Sequence, residues 1–148
     1  MQDLHGGIDE AMIERLVRRF YARVRADALL APVFASRIAD WEPHLQRMFA
    51  FWSAVTLKSG RYRGQPMAMH QPLPVDGRHF DRWLELFRQT AEEVCPPAAA
   101  AVFIGAARRI AESLELGIAG GNGIFLRPGE RLRRPDAELM LPADGAPA

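Results

Sequence analysis

From Ile8 the apolar residues recur at Ile13, Leu16, Val17, Phe20, Tyr21 and Val24, steps of three and four that only a helix gathers onto one face. Asp9 stands where an N-cap or first-turn acid belongs. The period stops near Asp27. There Leu29-Leu30-Ala31-Pro32-Val33-Phe34 predicts a compact apolar corner, with Pro32 resisting helix continuation and Phe34 pointing inward. A second helix begins around Asp40, tolerates Pro43 in its first turn, and carries Trp41, Leu45, Met48, Phe51, Trp52 and Val55. His44 belongs to the same aromatic face, one turn before Met48, as a polar group aimed at an apolar interior. Gly60 and Gly64 close this section. Pro66 to His70 has room for about one helical turn before Pro72 and Pro74 end it.

Asp76 is placed to cap the next helix, whose inward positions read Phe80, Trp83, Leu84, Phe87, Ala91 and Val94. A last helix runs from about Pro97 to Gly117 through Val102, Phe103, Ala106, Ile110 and Leu114, with Gly120-Gly121 beyond it as stop signals. No alternation long enough for a sheet appears, so the chain reads as all-α. Residues 8–118 form one domain and residues 119–148, rich in Gly and Pro without a sustained period, an irregular, flexible tail. Ile124-Phe125-Leu126 and Leu139-Met140-Leu141 are its candidates for docking on the body.

Composition narrows the class. A chain of 148 residues is one domain by length and buries roughly 68–70% of its unfolded surface, so it needs no staple. Lys+Arg 19 against Asp+Glu 18 gives a net charge of +1, which suggests neither nucleic acid nor an anionic membrane as partner. The single thiol, Cys95, has no internal partner and fits a reducing, cytoplasmic setting. Neither a signal peptide nor a membrane-spanning apolar run is visible.

Candidate chemistry centres on Tyr62-Arg63-Gly64-Gln65-Pro66-Met67-Ala68-Met69-His70, a breaker-rich segment that delivers one imidazole beyond an aromatic helix. An apolar pocket holding one histidine suits haem, and Cys95-Pro96-Pro97 is no thioether-attachment motif, so the haem would be non-covalent. The plain alternative is a loop histidine. Against it stand His44 and His70 flanking the aromatic helix, and the absence of HExxH or a Cys/His cluster as another metal site. His44 is equally readable as an outward residue at a helix start, and Tyr21 and Trp83 as core aromatics whose polar atoms find local partners. Their pairing on inward faces of different helices favours a functional use. Met48, Met67 and Met69 read as core filling before iron ligands. Tyr62, Arg61 and Arg63 suit either haem propionates or an exposed loop, and His5 and His79 receive no role.

Phe20-Tyr21, Phe34, His44 seven residues before Phe51-Trp52, Tyr62-x-Gly64-x-Pro66-Met67-x-x-His70 and Phe80-x-x-Trp83-Leu84-x-x-Phe87, in this order, resemble group III truncated haemoglobins across about residues 8 to 118. The lack of a Gly-Gly pair within that span agrees with the group's pattern. The resemblance implies a shortened globin fold, helix pairs packed two over two around a haem. It makes His70 the proximal iron ligand, Tyr21 and Trp83 the distal polar groups, and His44 the distal-helix histidine. It makes Phe34 the ring stacked on the macrocycle, with Met48, Phe51, Trp52, Met67 and Phe87 as further wall. The expected protein binds O2, NO or CO at pentacoordinate haem b. O2-linked redox chemistry, such as NO detoxification or peroxide turnover with an external reductase, is the enzymatic expectation. The alternative is a haem-free globin-like sensor or partner-binding module.

Overall fold

The computed structural model describes residues 6–134, and every structural statement below concerns these. Helix α1 (Glu10–Ala26) begins where the Asp9 carboxylate accepts the Met12 N–H at 2.8 Å, and it turns Ile13, Leu16, Val17, Phe20, Tyr21 and Val24 inward. At its other end the Asp27 carboxylate accepts from the N–H groups of Leu29 and Leu30 and from Arg82 Nε at 2.7 Å. That bond ties the corner to a later helix. The corner itself contains α2 (Ala31–Ala35), a five-residue helix with Pro32 in its first turn, where the missing N–H costs nothing. Helix α1 ends at Asp27, in extended backbone five residues before Pro32, and Pro32 starts another turn.

Helix α3 (Trp41–Leu57) follows Asp40, which makes no side-chain cap bond, and ends on Lys58 in the left-handed region at φ 56. The short α4 (Pro66–His70) and α5 (Gly77–Val94) follow, the latter opened by an Asp76–His79 capping box. Helix α6 (Pro97–Gly121) passes the glycine at which the hydrophobic period ends and runs on through Gly120. Helices α1 and α3 form one pair and α5 and α6 the other, with α1 against α5 and α3 against α6. The result is a two-over-two helical sandwich, without strands among the described residues. Phe20, Phe87 and Phe103 are buried at its centre, and Trp52 stacks on Phe87 with centroids 5.0 Å apart.

The chain after α6 returns to the body. Leu132 is fully buried with Val75, Phe80 and Ile118, its carbonyl accepts the Gly77 N–H at 2.9 Å, and its own N–H donates to Glu115 at 2.8 Å. Arg131 forks onto the buried Glu115 carboxylate and reaches Asp81, while the Arg134 N–H donates to Asp76. Residues 131–134 are thus strapped to the start of α5 and, through Glu115, to α6. Of Ile124-Phe125-Leu126, only Leu126 packs inward, and Phe125 is 85% exposed. Leu139-Met140-Leu141 lies outside the described residues.

Candidate haem site

Pro66 opens α4 because a residue at the first helical position needs no N–H, and the helix then lasts only until Pro72 and Pro74. Its length places His70 one turn after Pro66, with the imidazole Nδ1 2.6 Å from the Pro66 carbonyl oxygen. A carbonyl only accepts, so Nδ1 carries a proton, and the neutral form of this tautomer has at Nε2 the lone pair a metal needs. A backbone carbonyl holding the far nitrogen of a histidine is the usual support of a metal-ligating imidazole. Among the described residues no cluster of three or more His, Cys, Asp or Glu is placed to hold a bare metal ion.

Helices α1, α2 and α3 bring a second group of rings together. Tyr21 meets Phe34 at 5.8 Å, Trp41 at 5.7 Å and His44 at 5.2 Å between centroids, and Phe34 stacks on Trp41. Burial raises the Tyr21 phenol above its ordinary range, so its hydroxyl keeps its proton and remains a donor. His44 is pushed down to about 4, chiefly by burial and further by the charge of Arg47. Its imidazole is therefore neutral at pH 7, and its Nε2 is buried with no partner. A buried polar atom left without a partner fits a group that is bound beside it, and His70 is close enough to influence His44 electrostatically.

Trp83 lies on α5, edge-on to Phe20 at 5.4 Å and stacked on Phe87 at 5.4 Å. Phe20 also meets Tyr21 at 4.9 Å, so one ring separates the two donors that the sequence pairs. Met48 packs partly buried against the core, and Phe51 meets Tyr62 at right angles at 5.2 Å. The Met67 thioether is seated against Gly117 of α6. Arg61 is ion-paired with Glu10 at the start of α1.

The sequence reading kept Trp41 on the inward face but gave it no part in the site. In the fold it is the centre of the Tyr21, Phe34 and His44 group, and the Arg25 guanidinium lies 4.7 Å above its ring. Its spacing of three from His44 was the available signal. A separate cleft of about 240 Å³ between α5 and α6 is lined by Leu84, Phe87, Ile104 and charged residues, and by neither His44 nor His70.

The geometry is that of a globin. Residues 3–104 match the Bacterial-like globin family. Over 88 residues the chain is 34% identical to the Group 3 truncated hemoglobin ctb of Campylobacter jejuni, covering 56% of this chain and 69% of that protein. It is 27% identical over 89 residues to the Group 2 truncated hemoglobin YjbI of Bacillus subtilis, covering 59% of this chain and 67% of that one. The crystal structure of a group III truncated hemoglobin from Campylobacter jejuni superposes with a TM-score of 0.70 at 28% identity, over 88% of this chain and 99% of the other. The chain belongs to the bacterial-like globins and, within them, to the group III truncated haemoglobins. Membership implies haem binding and gaseous ligands. Among the described residues no helix is long and apolar enough to cross a membrane.

Proposed function

We propose that this chain binds haem b without covalent links, that His70 Nε2 would be the one protein ligand to its iron, and that Tyr21 and Trp83 would receive O2 and other diatomic ligands. The observation that carries the reading is the 2.6 Å contact between His70 Nδ1 and the Pro66 carbonyl, which fixes the tautomer and leaves Nε2 to ligate. When bound, haem supplies an iron centre open to one small ligand. The residues of this chain do the rest. Tyr21, kept protonated by burial, and Trp83, whose indole nitrogen only donates, direct hydrogen bonds at a ligand that gathers negative charge. Phe34 and Trp41 exclude water beside them. His44, neutral and without a partner for Nε2, controls access from the start of α3.

Donors set in a dry pocket favour O2 over CO and slow its release, and such retention suits redox chemistry better than delivery. NO oxidation or peroxide turnover fits that retention, with electrons from an external reductase in a reducing cytoplasm. Hemin titration of the purified protein tests the binding. One equivalent taken up with a Soret band is the expected result, and colourless protein that refuses hemin contradicts it and favours a haem-free module. Stopped-flow mixing of the oxy form with NO, reductase supplied, then tests the chemistry: fast nitrate formation is expected, and slow or absent reaction rejects NO oxidation.

A further inference from the structure

Helix α4 has five residues and none of them is buried, yet it carries the candidate iron ligand. One and a half turns do not hold themselves in water, so the position of His70 has to be imposed by a neighbour. The neighbour is α6, the main helix against which α4 packs. Gly117 and Gly121 lie one turn apart on α6, as Met67 and Gln71 do at the end of α4. A methyl group placed on Gly117 would overlap Met67 Cε and Sδ, and one placed on Gly121 would overlap the Gln71 amide nitrogen. The Gln71 amide also donates to the Gly117 carbonyl at 3.0 Å, while its oxygen is buried without a partner. Gly105, earlier on α6, has open space that only the tip of Arg109 approaches, at 3.5 Å.

We infer that Gly117 and Gly121 are positioning residues for His70: they form a two-position seat on α6 that receives Met67 and Gln71 and thereby sets the height and tilt of the proximal imidazole. The two side chains lie on either side of His70 in sequence, so displacing either one tilts the turn that bears the ligand. Both displaced atoms are ends of flexible side chains, and a methyl group on the seat therefore unseats them without rupturing α6. The inference rests on His70 as the iron ligand.

The test uses the full-length haem protein and compares Gly117→Ala/Gly121→Ala with Gly105→Ala, reading hemin dissociation and the iron–histidine stretching band of the ferrous form. Disturbing the support of a metal ligand typically costs about 10–100-fold in affinity, and hemin release should accelerate by a like factor as the band shifts. Gly105→Ala should change neither. Gln71→Leu adds no bulk to α6 and removes only the hydrogen bond, so it folds even where the double variant does not, and it should shift the same band. Wild-type release and an unshifted band in both Gln71→Leu and the double variant overturn the seat. If His70→Gly keeps the wild-type band, the ligand assignment itself fails, which separates that failure from failure of the seat alone.

Discussion

The imidazole of His44 stands edge-on to the phenol of Tyr21, ring centroids 5.2 Å apart and planes at 84°. Its helix starts at Asp40 without a side-chain cap bond, so local opening of that first turn costs little. On the proposed function, this imidazole, held by ring contacts and with no partner at Nε2, is the gate. His44→Leu should therefore change ligand association, measured by flash photolysis, more than O2 release. Wild-type association with much faster O2 release makes His44 a donor instead.

The same imidazole gives the protein an acid-sensitive stability. Its pKa falls from 6.5 to about 4 on folding, so above pH 6.5 it is neutral in both states and contributes nothing. Below that, the unfolded chain takes up a proton the folded one refuses, and stability declines down to about pH 4. With Arg47 as the facing charge and partial exposure to solvent, the loss is roughly 1–3 kcal/mol. Melting curves between these limits should fall less steeply with pH in His44→Leu. Parallel curves for variant and wild type reject the imidazole as their source.

Tyr21→Phe keeps the ring that packs against Phe20, Phe34 and Trp41 and removes only the hydroxyl. A hydrogen bond to a partly charged ligand is worth about 1.5–3 kcal/mol, so O2 should leave roughly 10- to 150-fold faster. An unchanged release rate here, and also with Trp83→Phe added, removes both residues from the donor role.

Leu132 is fully buried beside Phe80 and Ile118, and Arg131 satisfies the buried Glu115 carboxylate. Leu132→Ala should cost about 2–5 kcal/mol through the cavity it leaves. Arg131→Leu should cost about 1–3 kcal/mol by leaving an acceptor unsatisfied. Each kilocalorie lowers the melting temperature of a chain this size by about 2–4 °C. A Leu132→Ala melting curve that overlays the wild type means the strap is not part of the core.

Much of this was written plainly in the chain. Helices α1, α3 and α5 follow from apolar steps of three and four, and Asp9 and Asp76 act as the caps their positions suggest. The Pro66 to His70 turn is legible because prolines fix both its ends. Gly120-Gly121 do mark the end of α6, but the contacts of Gly117 and Gly121 with Met67 and Gln71 left no sign in the chain. A glycine near a helix end signals a stop or a notch, and only the partner settles which; that partner, Gln71, bonds Gly117 from 46 positions away. The strap was hidden for a related reason: Leu132 is a lone apolar residue among arginines, and no period marks a contact made by one side chain. Trp41 was on the correct face, but a ring's neighbours across three helices leave no local trace.

The central claim is that His70 alone holds the iron, and His70→Gly tests it most directly because it removes the imidazole while leaving the Pro66 carbonyl and the aromatic wall in place. Absorption spectra of the ferrous and ferric forms should show haem lost or loosely held in the variant, and added imidazole should partly restore the wild-type spectrum. Ferrous and ferric spectra indistinguishable from wild type, with haem retained, contradict the account.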